Sequence, residues 1–355
     1  MNLKNRMIIE EYRESRDIFA RLGEEVHKIL KSIAEQENIE PMILEHRVKE
    51  EDSLSGKLEL KGEKYRFLSD ITDILGARFV CYFTDEVYKV ADKIEEIFVV
   101  DWDNSVDKSK TLKEDTFGYL SVHYVCSLPE GRGYPEELTG RKFEIQLRSG
   151  LQHIWAATSH DITYKSEFDV PREVKRSFSR LAGIIELADE EFVRARNKMS
   201  DYTEEIHKKI IENSADDVLL NAVSLNEYIR RNIEMQHFLS RLGNIEGSEI
   251  CAINAEPYLE QLRWLGMRTL GDVQNLLKRD GDLAFRLAEQ FLSGSRLDIL
   301  TSNVGLFYLC RAELLDKGYD LDKITEFFSI SDTDRERAER QAKKLLKNHE
   351  KLKGE

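Results

Sequence analysis

The sequence lacks the features that mark secreted, membrane-spanning and zinc-knuckle proteins. It contains no run of about twenty apolar residues, and its first residues become charged before a signal-peptide core could form. The four cysteines are far apart and form no CxxC pair, which argues against a zinc knuckle or a disulfide framework. We therefore expect a cytoplasmic protein without a membrane segment, whose cysteines are ordinary buried thiols. They are Cys81, Cys126, Cys251 and Cys310.

Positive charge is also scarce, because 67 acidic residues outnumber 53 basic ones and the formal net charge is -14. This balance argues against a surface devoted to nucleic acid, although a local basic patch is compatible with it. An acidic chain can still bind nucleotides, since carboxylates reach phosphate oxygens through Mg²⁺. The 355 residues, 41% of them hydrophobic, are sufficient for two domains with cores of their own.

The hydrophobic pattern differs between the two parts of the chain. Up to about residue 213, helical spacing alternates with segments typical of strands, whereas the remainder shows almost no strand signal. The strands are predicted at Ala77–Phe83, Ser121–Leu128 and Lys142–Ser149. We therefore predict one domain over residues 1–213, with an N-terminal helix and a long C-terminal helix, and a helical domain over residues 214–355.

Polar side chains alternate with apolar ones along two of these segments. In each segment the alternation would place three polar groups on one face of a sheet. A phenol ring can stack on a purine while a hydroxyl and an imidazole bond its edge or its sugar. Taken alone, either segment is more typical of the exposed face of an antiparallel sheet. The two sets are Glu144, Gln146 and Arg148, and Tyr119, Ser121 and His123.

A carboxylate and an arginine flank the entrance to the first predicted strand. Asp73 and Arg78 lie on either side of the apolar ILGA segment, where a metal-bound phosphate could approach. Because Mg²⁺ prefers one or two carboxylates together with phosphates and waters, Asp73 and Glu144 are the candidate metal-binding pair. The alternative is that Asp73 only caps the chain or forms an ion pair.

A basic cluster precedes this strand. Helical spacing is expected to keep Lys49, Ser53 and Lys57 on one face, with Arg47 close by. Such a group at one helix end can bind phosphates. A solvated face, on which the lysines pair with neighbouring glutamates, is an equally good interpretation.

In their order along the chain, these motifs resemble the RelA/SpoT synthetase family. They are RxKxxxSxxxK from Arg47, DxxxxR from Asp73, GYxSxH from Gly118 and ExQxR from Glu144. The resemblance extends from about residue 46 to residue 165, and the family has residues similar to His153, His160 and Lys165. It implies an α+β fold, in which a nucleotidyltransferase-like mixed β-sheet is flanked by helices and followed by an all-α C-terminal domain.

The resemblance further implies a GTP or GDP pyrophosphokinase, which transfers the β,γ-pyrophosphate of ATP to the 3′-hydroxyl of GDP or GTP to make (p)ppGpp and releases AMP. Asp73 and Glu144 would hold Mg²⁺, and Glu144 would also take the hydroxyl proton. Tyr119 would stack on the guanine, His123 would support the acceptor, and Arg47 would lie against the adenine. The residues expected to contact phosphates or orient the substrates are Lys49, Ser53, Lys57, Arg78, Ser121, Gln146 and Arg148.

One stretch departs from the family pattern. The family commonly has a lysine and a proline shortly before GYxSxH, whereas this chain has KEDTFGY. A changed acceptor loop is what pyrophosphorylation of the tRNA 3′ end would need, so a toxic tRNA-modifying enzyme is the alternative function. A second alternative is an inactive regulatory or scaffold protein on the same fold. Because residues 214–355 carry no catalytic motif, we hypothesise that they bind a regulatory protein or form a homo-oligomer.

Overall fold

The structure, a computed structural model, describes residues 3–107, 121–164, 170–331 and 334–353. It divides into two compact units, unit 1 over Met1–Arg196 and unit 2 over Asn197–Glu355. The division falls within a long helix that ends at Ile211, whereas the domain boundary predicted from the sequence follows residue 213. None of the described helices combines the length and the apolar character that crossing a bilayer requires.

Unit 1 contains a β-sheet flanked by helices, as the sequence predicts. Its described helices and strands are α1 (Leu3–Gln36), β1 (Ile43–Val48), α2 (Glu51–Lys61), β2 (Leu75–Cys81), α3 (Thr84–Ile97), β3 (Val99–Val100), β4 (Val106–Asp107), β5 (Val122–Ser127), β6 (Phe143–Ser149), α4 (Gly150–Tyr164) and the start of α5 (Arg172–Ile211). Short 3₁₀ turns cover Gly62–Lys64 and Leu68–Asp70.

The described strands of unit 1 form one mixed sheet in the order β1-β2-β6-β5-β3, with β4 paired to β5. The central pair, β2 and β6, is parallel, whereas β1 and β5 are antiparallel to their neighbours. One face of the central strands is apolar and completely buried, as at Phe79, Ile145 and Leu147. This face joins helices α1 and α3 in a single core, because burying large apolar side chains is the main driving force of folding. The opposite face is left for polar groups.

Strand β1 was not expected from the sequence, and it changes the interpretation of the basic cluster. Arg47 lies in this strand and Lys49 follows it, whereas α2 begins only at Glu51. The prediction that Lys49 shares a helical face with Ser53 and Lys57 is therefore wrong. As the edge strand, β1 has half-buried and exposed side chains only, so its hydrophobic alternation is weak.

Unit 2 is mainly helical, with one extended apolar core. The helix Leu270–Leu292 begins with a capping box, in which Thr269 Oγ1 accepts from the Asp272 amide and Asp272 Oδ2 accepts from the Thr269 amide. The elements that follow the end of α5 are α6 (Ala222–Arg231), α7 (Ile233–Gly243), β7 (Glu249–Cys251), α8 (Leu259–Trp264), α9 (Leu270–Leu292), β8 (Ile299–Thr301), α10 (Val304–Asp316), α11 (Leu321–Ser329) and α12 (Arg335–Lys353).

Two details of unit 2 differ from the sequence prediction. The region is helical as predicted, but β7 and β8 form a short parallel pair within it. Each strand has three residues, and so short a segment carries no readable period. Cys251 lies in β7 and is exposed, whereas the other cysteines are buried. The expectation of buried thiols is therefore wrong for Cys251.

Candidate active site

Strand register assembles the polar face of the unit 1 sheet. Arg47 of β1 pairs with Gly76 of β2, and Gly76 pairs in turn with Glu144 of β6. The next row, two residues along, consists of Glu45, Arg78, Gln146 and His123. Because side chains alternate between the two faces of a sheet, the members of both rows lie on the same side. Segments that are distant in the sequence thus contribute to one surface.

Asp73 lies just before β2 and is held by two lysines. Lys57 Nζ is 2.7 Å from Asp73 Oδ1, and Lys49 Nζ is 3.0 Å from Asp73 Oδ2. Burial by itself would raise the pKa of Asp73, but the two ammonium groups outweigh it and hold the pKa below its usual range. Asp73 likewise raises the pKa of Lys57 against the effect of burial. Two cations against one carboxylate leave this cluster with a positive charge, which suits a phosphate group.

Glu144 lies on β6 and is hydrogen-bonded to a histidine of the neighbouring strand. Its Oε1 is 2.7 Å from Nδ1 of His123. Burial would raise the pKa of Glu144, and so would the charge of Asp73, but the hydrogen bond and charge of His123 hold the pKa below its usual range. Both carboxylates are therefore ionised at neutral pH.

Two cavities that share part of their lining open over this face. The first, of about 370 Å³, is lined by Asp73, Glu144 and Lys49 among others. The second, of about 810 Å³, is lined by Arg148 and by residues of α4. The residues common to both linings are Arg47, Arg78 and Gln146. The face therefore offers adjoining spaces that meet at two guanidinium groups and an amide.

Hydrogen bonds orient the arginines of these cavities. Arg78 Nη1 donates to Glu45 Oε1 at 2.5 Å, and Arg148 Nη2 donates to Gln146 Oε1 at 2.7 Å. His153 lines the second cavity. Burial lowers the pKa of His153, and the charges of Arg78 and Arg148 lower it further. The imidazole is therefore neutral at pH 7 and can gain a proton when an anion offsets the two guanidinium charges.

Gly76 forms part of the lining of the first cavity, beside Glu144 in the sheet. A Cβ atom built at this position would meet no other atom within 4 Å, and its φ lies outside the left-handed region that favours glycine. The backbone therefore does not require glycine here. The absence of a side chain instead keeps the cavity open between Arg47 and Glu144.

Most residues selected from the sequence meet on this face. Lys57 and His123 reach it through their bonds to the two carboxylates. Ser53 is exposed and Ser121 is buried, and neither lines either cavity. Tyr119, like Lys165, lies outside the described residues. The residues named from the sequence that line the cavities are Arg47, Lys49, Asp73, Arg78, Glu144, Gln146, Arg148, His153 and His160.

Sequence reasoning missed two residues of the face, Glu45 and Gly76. Glu45 alternates with Arg47 on β1, so recognition of this strand would have placed both side chains on the polar face. Gly76 has no side chain that could suggest a chemical role, and only its pairing with Glu144 shows that it lies beside the carboxylate.

A second group of carboxylates lies in unit 2, where its surroundings argue against a cation site. Oxygens of Asp280, Glu313 and Asp316 lie within 4.8 Å of one another. Arg279 forms ion pairs with all three, and Lys317 Nζ is 3.0 Å from Glu313. Asp280 and Glu313 are buried. Their charges are thus already balanced by protein cations, as in a structural salt-bridge network.

The donor chemistry of the first cavity, in contrast, fits a hard divalent cation. Asp73 and Glu144 are ionised oxygen donors that line one space and remain partly exposed. Mg²⁺ is usually bound by one or two carboxylates that leave room for waters and substrate phosphates. The residues present therefore fit a hard divalent cation such as Mg²⁺.

Known proteins match part of the chain. Residues 46–169 match the family model described as a region found in RelA / SpoT proteins. The GTP pyrophosphokinase YwaC of Bacillus subtilis (strain 168) is 29% identical over 163 residues, which are 43% of this chain and 72% of that protein. The GTP pyrophosphokinase YjbM of the same strain is 27% identical over 161 residues, 44% of this chain and 72% of that protein. The crystal structure of small alarmone synthetase 2 from Bacillus subtilis is similar with a TM-score of 0.45 and 24% identity, over 53% of this chain and 99% of that one. Through residues 46–169, this chain is therefore similar to the region found in RelA / SpoT proteins and to the two GTP pyrophosphokinases.

Proposed function

We propose that unit 1 is a pyrophosphokinase that transfers the β,γ-pyrophosphate of ATP to the 3′-hydroxyl of GDP or GTP, forming (p)ppGpp and AMP. The observation that carries this proposal is the meeting of two ionised carboxylates, Asp73 and Glu144, with lysines and arginines around two cavities with a shared lining. GTP pyrophosphokinase is also the activity named for the two Bacillus relatives. Because the substrates are cytoplasmic nucleotides, we propose the same compartment for the enzyme.

The proposed transfer forms one bond and breaks one. The acceptor 3′-oxygen attacks the β-phosphorus of ATP, and the bond from that phosphorus to the α,β-bridging oxygen breaks, so that AMP leaves with this oxygen. Such reactions depend mainly on alignment and on stabilisation of charge at the phosphate oxygens. Lys49, Lys57 and Arg148 are suited to these two tasks, because each carries a positive charge on the polar face.

Glu144 is suited to accept the proton of the 3′-hydroxyl, because its carboxylate is ionised and His123 orients one of its oxygens. Its low pKa makes it a weak base, so we infer that the proton moves only after bond formation has made the hydroxyl more acidic. Mg²⁺ held by Asp73 and Glu144 would supply neutralisation of phosphate charge and Lewis acidity. Arg47 and Arg78 lie where the two cavities meet and are suited to orient the nucleotides.

The charges that line the cavities favour a free nucleotide over RNA as acceptor. RNA binding depends on a surplus of cations that follows the phosphate backbone. A nucleotide with Mg²⁺ instead needs carboxylates for the ion and cations for the phosphates. The charged lining residues are evenly divided between basic and acidic groups: Arg47, Lys49, Arg78 and Arg148, and Glu45, Asp73, Glu144 and Asp161.

The test is incubation of the full chain with Mg²⁺ and γ-labelled ATP, with GDP, GTP and bulk tRNA compared as acceptors. We expect label in guanosine tetra- or pentaphosphate, and about 10²- to 10⁴-fold less with folded Glu144→Gln. Label in tRNA alone would replace the proposed acceptor. No transfer to any acceptor by folded protein would contradict the proposal and favour the inactive regulatory protein.

For unit 2 we propose a regulatory role, through a protein partner or a homo-oligomer, because no motif of the family falls within residues 214–355. A chain that ends at residue 213 tests this role and the proposed domain boundary together. We expect it to fold and to differ from the full chain in activity or oligomeric state. If it folds and neither property changes, the regulatory role is excluded.

A further inference from the structure

Unit 2 contains a small cavity with aromatic walls. It measures about 220 Å³ and lies among helices α9, α10, α11 and α12. Two cationic side chains, Arg311 and Lys344, line it together with the rings. The aromatic lining residues are Phe291, Phe307, Tyr308 and Phe328. The cavity therefore combines apolar surface with positive charge.

Arg311 lies among these rings without a carboxylate partner. Its guanidinium carbon is 3.3 Å from the centre of the Phe307 ring and 4.9 Å from that of Phe328. Nη1 donates to the carbonyl oxygen of Phe307 at 2.8 Å. Within the described parts of the chain, no aspartate or glutamate forms an ion pair with this guanidinium. Burial lowers the pKa of Arg311 to about 10, because the cation has lost water without gaining an anion.

This situation differs from that of two other cations in the same unit. Arg279 and Lys317 both pair with the buried carboxylate of Glu313. Lys344, at the rim of the cavity, has its Nζ 5.0 Å from the centre of the Phe291 ring. Contacts with ring faces offset a positive charge less than an ion pair does. An anion placed in the cavity would therefore gain a charge-assisted hydrogen bond without breaking an existing ion pair of Arg311.

We propose that this cavity binds a small organic anion, a carboxylate or phosphate monoester whose body is about the size of one ring. The anionic group would bond to Arg311 and lie near Lys344, while the body would pack against the phenylalanines. The cavity is smaller than the roughly 300–1,000 Å³ of sites for drug-sized ligands, so it suits a ligand smaller than a whole nucleotide. The proposal does not depend on the chemistry proposed for unit 1.

The test is calorimetric or NMR titration of the full chain with phenylacetate and with phenyl phosphate. We expect saturable binding of at least one of them with a Kd of about 1 mM or lower. Phenylacetamide has the ring without the charge, and inorganic phosphate has the charge without the ring, so both should bind at least about tenfold more weakly. Absence of saturable binding by both anionic probes would overturn the proposal.

Variants locate the binding. Arg311→Met removes the charge at similar length and should weaken binding by about tenfold or more, whereas Lys344→Met should weaken it by about threefold. Lys343→Met is the matched control, since Lys343 is the preceding residue of α12, is exposed and pairs with Glu339. Unchanged affinity in folded Arg311→Met would overturn the proposal. If that variant does not fold, equal affinities of Lys344→Met and Lys343→Met overturn it instead.

Discussion

Unit 1 and unit 2 each bring carboxylates close together, but the two groups differ in how their charge is balanced. In unit 1 the side chains of Asp73 and Glu144 are 26% and 20% exposed and line a cavity. In unit 2 the side chains of Asp280 and Glu313 are only 3% and 2% exposed, and Arg279 contacts both. The first group can be reached from solvent, whereas the two buried carboxylates of the second are already paired with Arg279.

The pKa directions follow the same division. The pKa of Asp73 is lowered because two lysines outweigh its burial, whereas burial raises the pKa of Asp280 despite the bond from Arg279. Lysine ammonium groups on long stems can move aside for a metal ion or a phosphate. Close approach of three carboxylates is therefore weaker evidence for a cation site than two ionised carboxylates with access to solvent.

The largest expected difference between the carboxylates of unit 1 and those of unit 2 is the effect of charge removal on the rate of transfer. Asp73→Asn keeps the shape of the side chain and removes a charge of the proposed Mg²⁺ site, so we expect transfer of label from ATP to fall about 10²- to 10³-fold. Asp280→Asn should leave the rate within about twofold. Circular dichroism establishes that both variants are folded. A similar loss of rate in both would contradict the distinction.

The role of the lysines can be sharpened with a matched pair on α2. Lys57→Met removes a cation bonded to Asp73, and we expect kcat/KM for ATP to fall by about 10²-fold. Lys61 is exposed and lies one helical turn further on, so Lys61→Met should change kcat/KM by less than about twofold. Equal effects of the two substitutions would show that only the general charge of the helix matters.

For the free energy of unfolding, we expect the carboxylates of unit 2 to matter more than those of unit 1. Glu313→Gln removes the charge that binds Arg279 and Lys317, and we expect the free energy of unfolding to fall by about 2 kcal/mol. Glu144→Gln affects a more exposed group and should cost less than about 1 kcal/mol. Urea unfolding followed by tryptophan fluorescence measures both, with Trp264 as the probe in unit 2 and Trp102 and Trp155 as the probes in unit 1. The reverse order would contradict the assignment of Glu313 to a structural network.

The smallest expected effects concern pH: as the pH falls, the contributions of Asp73 and Asp280 to stability should change in opposite directions. The lowered pKa of Asp73 means that its ion pairs stabilise the fold above the ordinary carboxyl range, and this is lost as the pH falls through the folded pKa, below about 4. The raised pKa of Asp280 means that its ionisation opposes folding, and this penalty is relieved as the pH falls through a folded pKa above about 4. Carboxyl ¹³C NMR titrations, assigned with the two asparagine variants, measure both midpoints. A higher midpoint for Asp73 than for Asp280 would be inconsistent with this account.

Local patterns in the sequence were enough to predict part of the site. The alternation along β6 assigned Glu144, Gln146 and Arg148 to one face, because side chains two residues apart lie on the same side of a strand. The resemblance to a known family then related these residues to Asp73 and Lys57, which no local pattern connects.

Contacts between distant segments could not be predicted in this way. The pairing of Gly76 with Glu144 depends on the register of two parallel strands, which a local pattern does not encode. The aromatic cavity around Arg311 combines side chains from several helices of unit 2. Strand β1 was not predicted, because an edge strand buries too little of its surface to require a clear alternation of apolar and polar residues.

At Gly76, a substitution that raises thermostability is expected to lower turnover. Glycine within a strand costs roughly 0.5–1 kcal/mol relative to alanine, because it loses more conformational freedom on folding and offers no side chain to pack. The backbone of β2 would accept a residue with a Cβ atom at this position. Replacement by valine would therefore strengthen the sheet, but it would also fill the space beside Glu144. A search for heat-resistant variants of this protein would thus favour larger residues at position 76, and these residues would hinder substrate binding.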